Sequence, residues 1–262
     1  MGRKIIIRMI ILGFSLFCLL PVIITISSSF FTYDEVKDGP SFSLPHFSLQ
    51  QFEEILLRTP QYLGWFWNSV KVSFSTLVIA IPLSLMAAYG FSKFKFPFRD
   101  VIFFLYVIVM LMPFQATLVP QYITLKELDL LDKTAAIILP NAFSAFGAFL
   151  MTQFMRGIDN EMIDAAKMDG MSDYSIFIHI IVPLSKPAVA SLFILLFIES
   201  WSMIEQPMIF LSDSSKLPLS VYLGKIASTL YAGGTIFLIL PLLIYLLGYE
   251  DLVEGISLGS IK

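Results

Sequence analysis

The chain has 262 residues, of which 57% are hydrophobic and only 14% charged, and its mean hydropathy is +0.81. A soluble domain of this length does not need that much apolar surface for its core, so the composition is that of a polytopic membrane protein. A formal net charge of −3 without any basic cluster excludes a nucleic-acid binder. Cys18, His46 and His179 stand far apart in sequence, which excludes a disulfide framework and leaves no Cys/His metal set.

A spanning helix needs ~20 mainly apolar residues to cross ~30 Å of hydrocarbon. Six stretches qualify in chain order: Met9 to Phe30, Phe66 to Gly90, Val101 to Tyr122, Thr134 to Phe154, Ala188 to Leu211 and Leu230 to Gly248. Lipid offers backbone amides no partners, so these runs are helices; no ten-residue in/out alternation points to a barrel. The expected fold class is all-α, with six transmembrane helices. Pro21, Pro82, Pro113, Pro120, Pro140, Pro207 and Pro241 lie in or at the ends of the runs and imply kinked, closely packed spans. The first run could be a cleaved signal peptide behind Arg3, Lys4 and Arg8, but its apolar core of about eighteen residues is too long and reads as an uncleaved anchor.

Between the first two runs, Phe31 to Tyr62 is polar from Asp34 to Ser43. It then carries Phe52, Ile55 and Leu56 at helical spacing, the pattern of an interfacial helix. Ser212 to Ser228, rich in serine and proline, is the other notable connection on that side. With a cytoplasmic N-terminus, the inner segments hold Arg3, Lys4, Arg8, Lys93, Lys95, Arg99, Arg156, Lys167, Lys186 and Lys262, ten of the seventeen basic residues. These lie against span ends, whereas Lys37 and Arg58 sit in a long outer loop where the rule carries less weight, so both termini are expected to be cytoplasmic.

The long inner loop, Arg156 to Lys186, is patterned like structure. Asp159 can cap a helix through Glu161, Met162, Asp164, Ala165, Ala166 and Met168, with acids in its first turns where the helix dipole favours them. Gly170 suits the left-handed position that reverses the chain. Ser172 or Asp173 can cap a second helix through Ile176, Phe177, Ile180 and Ile181, until Pro183 and Pro187 intervene. An amphipathic connector resting on headgroups would share part of this pattern. Two consecutive alanines allow close approach to a partner surface, and Asp164 and Asp169 offer it carboxylates.

The spacing of Asp164-Ala165-Ala166, Gly170, Ile180 and Pro183 resembles the cytoplasmic "EAA" coupling loop of ABC-importer permeases. Asn68-Ser69, Ala87-Ala88-Tyr89, Pro113 and Pro120, Trp201 with Pro207, and Val253-Glu254-Gly255 extend the likeness over nearly the whole chain. The chain is similar to the carbohydrate-type permease subunits of type I ABC importers, such as the smaller membrane subunit of maltose transporters. Two departures stand out. Asp164 replaces the usual Glu, which keeps the carboxylate but shortens it. Ser202 follows Trp201 where Asn is usual, which removes an amide near the presumed pathway.

The resemblance implies an anchor helix and external loop at 1–65, a permease core at 66–254 with its coupling loop at 156–187, and a cytoplasmic tail at 255–262. It also implies a prokaryotic cytoplasmic membrane, a second homologous permease subunit, two ATP-binding subunits and an extracytoplasmic sugar-binding protein. Asp164, Ala165, Ala166, Asp169, Gly170, Ile180 and Pro183 would couple to the ATPase. No Gly-x-x-x-x-Gly-Lys-Ser/Thr loop occurs, so ATP would be bound by the partners and this chain would need no cofactor.

Glu199 and Glu205, in the fifth run, are carboxylates that cost ~2.5 to 3.5 kcal/mol at mid-bilayer and should face a cavity, a partner or the interface. Glu205 lies ~9 Å from the outer end of its run, whereas Glu199 is deeper. With Trp201 and Ser202 they are the candidates for a translocation pathway. The leading expectation is half of an ATP-driven importer pore for sugar, of the oligosaccharide class. A permease for another solute, and a secondary transporter using Glu199 as an ion site, are the alternatives. The latter would need inverted internal halves, which the sequence does not show. A membrane enzyme lacks any supporting motif.

Overall fold

The computed structural model describes residues 2–36, 47–223 and 230–260. Lys37 and the polar stretch as far as Ser43, together with Ser41, His46, Lys225, Ser228 and Lys262, lie outside the described residues, as does the side chain of Glu254. The helices in order are α1 (Gly2–Ser28), α2 (Tyr33–Val36), α3 (Gln50–Glu53), α4 (Pro60–Lys93), α5 (Arg99–Leu111), α6 (Phe114–Glu127), α7 (Ala135–Ala142) and α8 (Ala145–Arg156). They continue with α9 (Asn160–Met168), α10 (Asp173–Ile176), α11 (Val182–Leu184), α12 (Lys186–Ser202), α13 (Glu205–Phe210), α14 (Leu219–Leu223) and α15 (Leu230–Ser260). The described residues form an all-helical bundle. Four helical stretches are long and apolar enough to cross a membrane, and six spans result if each of two bent pairs is counted as one.

α4 is the central helix and packs on α7, α8 and α12. Its buried side includes Ser69, Ser73, Thr76, Ala80, Ser84 and Ala88, small residues that let neighbouring backbones come close where lipid supplies no hydrophobic drive. The tightest point is opposite Gly147 on α8, where an added Cβ would lie 2.4 Å from the Ser84 hydroxyl oxygen. Gly147→Ala is therefore expected to lower stability by about 1 to 3 kcal/mol, and Ser84→Ala introduced with it should recover much of the loss. Thermal unfolding of the four proteins of that cycle in detergent checks this; strictly additive losses would contradict the contact.

The expected third run, Val101 to Tyr122, is not one helix. α5 and α6 meet at 103°. Pro113 drives the residue before it out of the helical region, and Met112 accordingly sits at φ −68°, ψ 133°. The fifth run is also divided. α12 stops at Ser202, Met203 is extended, and α13 begins at Glu205. The fourth run breaks between α7 and α8 at Phe143. The second and sixth helices run beyond their expected ends, to Pro60–Lys93 and Leu230–Ser260.

The segment expected to be an interfacial helix is helical, with Phe52 and Ile55 turned inward and Leu56 left exposed. Ile55 is fully buried against Tyr62, Leu219 and Ala232, with Phe52 packed beside it, while Leu57 faces out. Gln51 is buried with it, and its amide donates to the carbonyls of Ser28 (2.8 Å) and Phe31 (2.9 Å), closing the end of α1. Asn68-Ser69 also acquire a structural role. The Asn68 amide donates to the Ser215 and Leu217 carbonyls, and the Ser69 hydroxyl accepts from the Leu219 amide at 2.8 Å. On the same face Asp132 accepts from the Ser212 and Asp213 amides and pairs with Lys216, contacts that hold its carboxyl below the usual range.

α1 and α15 are antiparallel, since Thr235 near the start of α15 donates to the Thr25 carbonyl near the end of α1. The Ser191 hydroxyl near the start of α12 reaches the carbonyls of Asp251 and Leu252 near the other end of α15. The far ends of α1 and α15 thus share a face with the 156–187 loop.

Candidate functional site

Two places in the fold draw the candidate residues together. The first is the loop from α9 to α11. Asp159 occupies the N-cap position of α9, although its side chain makes no capping bond. α9 ends at Met168, and Gly170 just beyond its cap has a φ of 82°, the left-handed geometry that a side chain disfavours. The Met171 amide reaches back to the Ala166 carbonyl and the Gly170 amide to that of Lys167, both at 3.0 Å, so the carbonyls at the end of α9 are satisfied inside the turn. Ser172 is the cap of the next helix, its hydroxyl accepting from the Ser175 amide. The Lys167 ammonium pairs with the Asp173 carboxylate at 3.0 Å across the turn, and that contact raises the lysine above its ordinary range.

Pro183 does not end the second helix. A π turn over Phe177–Ile181, closed by the Val182 amide on the Phe177 carbonyl, absorbs the missing proline donor, and helix resumes through Leu184. The chain then bends by 73° into α12.

Ile163, Ala166, Ile176 and Ile181 belong to the same buried cluster as Leu77, Met155, Phe197 and Trp201 of the spans. The loop is therefore part of the bundle core and not a tether. This corrects one expectation: only Ala165 of the alanine pair faces outward, while Ala166 is 6% exposed and packs inward. Asp164, Asp169, Gly170 and Pro183 are exposed, and Ile180 is half-buried against the core. Beside Ala165 the loop exposes Met168 at 89% and Tyr174 at 76%, an apolar surface with acids around it. Lys93 at the end of α4 fastens α9 from above, donating to the Asn160 side chain at 3.0 Å.

The second place is a cavity of about 320 Å³ where α6, α7, α12 and α13 meet at their breaks. Glu199 and Glu205 both line it. Glu205 accepts from the Gln115 amide at 3.3 Å; Glu199 has no hydrogen-bond or ion-pair partner among the described residues. The Asn141 amide donates to the Gln206 side-chain oxygen, and Gln206 donates on to Gln121 at 3.5 Å. Ser202 is exposed nearby, its hydroxyl turned onto the Ile198 carbonyl.

Trp201 is not part of this lining. It is 1% exposed, stacked on Phe197 and Phe237, and its ring nitrogen donates to the Phe237 carbonyl at 3.2 Å. Its bulk and its N–H are both used in the core. The amides Gln115, Gln121, Asn141 and Gln206 were not singled out from sequence. The signal was present, because an isolated amide inside an apolar run must find a polar partner in the membrane.

Residues 80–252 match the family described as the binding-protein-dependent transport system inner membrane component. The chain belongs to that family. It is a transporter permease and not an enzyme, and membership sets aside the self-contained secondary transporter. Among relatives of this family member, it is 34% identical over 217 residues to the polygalacturonan/rhamnogalacturonan transport system permease protein YtcP of Bacillus subtilis (strain 168), covering 82% of this chain and 75% of that one. It is 30% identical over 208 residues to the arabinooligosaccharides transport system permease protein AraQ of the same strain, covering 77% and 74%. The lactose transport system permease protein LacG of Rhizobium radiobacter is 30% identical over 204 residues, covering 75% and 74%. Among solved structures, a chain of a bacterial ABC transporter involved in the import of the acidic polysaccharide alginate superposes with a TM-score of 0.82 at 26% identity, covering 94% of this chain and 95% of that one.

Proposed function

We propose that this chain is one of two permease subunits of an ATP-driven sugar importer of the oligosaccharide class, forming half of the pore and coupling to separate ATP-binding subunits. The observation that carries the reading is the loop surface at Ala165, Met168 and Tyr174, apolar and exposed yet backed by residues of the bundle core. A connector would have no need to be both. Closure of two ATPases would push this surface, and because the loop is packed into the spans, the push would rock one permease against the other. The names of the relatives supply the sugar, and their transport systems supply the expectation of an extracytoplasmic binding protein. ATP belongs to the partners, and no covalent chemistry is asked of this chain.

In this reading the loop face, with both termini, lies in the cytoplasm. Single cysteines at Ser172 and Ser41, in a Cys18→Ser background, test the orientation with an impermeant thiol reagent on right-side-out vesicles. Labelling at 41 and not at 172 is expected; the reverse would overturn the orientation. The cavity at Glu199 and Glu205 is the candidate pathway. Glu199→Gln is expected to change uptake more than Glu205→Gln, because Glu199 is deeper and unpaired while Glu205 already has an amide neighbour. Normal uptake by both variants at matched protein levels would remove the carboxylates from the route.

A further inference from the structure

Resting on the transport reading, we infer that the pathway cavity selects an uncharged glycan and rejects uronate-bearing ones. The cavity presents two carboxylates, Glu199 and Glu205, together with the amides Gln115, Asn141 and Gln206, and no lysine or arginine is among the residues lining it. Gln121 extends the amide row through Gln206.

The chemistry of that lining is specific. Sugar hydroxyls donate to carboxylate and amide oxygens and accept from amide N–H groups, so a neutral polyol finds both kinds of partner here. A carboxylate on each ring of a uronate chain would instead meet like charge in an open groove where Glu199 and Glu205 are both exposed, a repulsion that salt screens. Charge repulsion of this kind discriminates by exclusion as well as by attraction. The volume of about 320 Å³ falls at the small end of ligand pockets, the scale of one or two sugar units passing through an open groove. Likeness of fold does not decide the matter. Polygalacturonan, named for the 34% identical relative YtcP, and alginate, named for the 26% identical fold neighbour, both carry uronates, yet the charge lining a pathway is set by individual side chains.

The test separates the permease from its binding protein, which has a selectivity of its own. The permease–ATPase assembly, purified without binding protein in nanodiscs, is probed by saturation-transfer NMR with neutral trisaccharides of arabinose, glucose and galactose, and with trigalacturonate. At low salt, at least one neutral trisaccharide is expected to show transfer at least about fivefold above that of trigalacturonate. The gap should narrow to within about twofold in the Glu199→Gln/Glu205→Gln protein, and also in the unmodified protein as salt rises from about 50 to about 500 mM. Equal or stronger transfer to trigalacturonate in the unmodified protein would overturn the inference. So would transfer to no sugar, or a gap that neither salt nor the double change alters. Uptake by vesicles holding the complete assembly, binding protein included, separates this from the reading beneath it. Import of acidic sugars sinks only the charge selectivity, whereas import of no sugar sinks the transport reading.

Discussion

Gly170→Val is expected to cut sugar uptake by about tenfold or more while leaving the spans inserted. Nothing lies within 4 Å of the position a Cβ would take, so crowding is not the cause. The cost is in the backbone: at φ 82° a β-branched residue is unfavourable by ~1 to 2 kcal/mol or more, and the chain relieves it by opening the turn. Opening releases the Met171 and Gly170 amides from α9 and displaces Ser172, the cap of α10. Gly170→Asn is the control, since asparagine tolerates the left-handed region, and it should retain most uptake. ATP hydrolysis and uptake measured together in reconstituted vesicles read the effect. Normal coupling in the valine protein would mean that the turn geometry is dispensable.

Ala165→Trp and Ala166→Trp are expected to fail in different ways, although the positions are adjacent. Ala166 lies in the core with Ile163 and Ile176, so tryptophan there overpacks the interior and should cost about 1 to 3 kcal/mol or more of stability, shifting α9 bodily. Ala165 is on the outer face, where tryptophan leaves the chain itself intact but stands between the loop and whatever docks on it. Thermal unfolding of the isolated permease and ATPase co-purification together separate the two. The expected pattern is a lowered midpoint for Ala166→Trp, and for Ala165→Trp an unchanged midpoint with ATPase lost. An Ala165→Trp protein that keeps both its ATPase and its uptake would show that nothing docks closely at that residue.

Much of this was legible in the sequence because the membrane simplifies the problem. Long apolar runs have to be helices, and a glycine between two capped helical patterns has to turn the chain; both statements hold in the structure at α4, α15 and Gly170. What could not be read was which side of a short helix meets its own core. Ala165 and Ala166 are indistinguishable by type, and only the burial of Ala166 in the cluster that also holds Ile163 and Ile176 separates them. The same holds for Trp201: Phe197 lies one turn earlier on α12, but Phe237, which takes the other stacking contact and the indole N–H, is on α15 and distant in sequence. Pro113 announced a disturbance but not its size, because whether a proline kinks a span or turns it by 103° is decided by what the next helix finds to pack against. The amide row of the cavity was hidden for a similar reason: Gln115, Asn141 and Gln206 lie on three different elements and meet only at their breaks.

The central claim is that the loop surface around Tyr174 is where a separate ATPase pushes on this permease. Photo-crosslinking from a benzophenone-bearing residue in place of Tyr174, in native membranes, tests it most directly. The account predicts a crosslink to an ATP-binding subunit that changes in yield when ATP is bound. A crosslink to lipid alone, with the ATPase present in the same membranes, would contradict it.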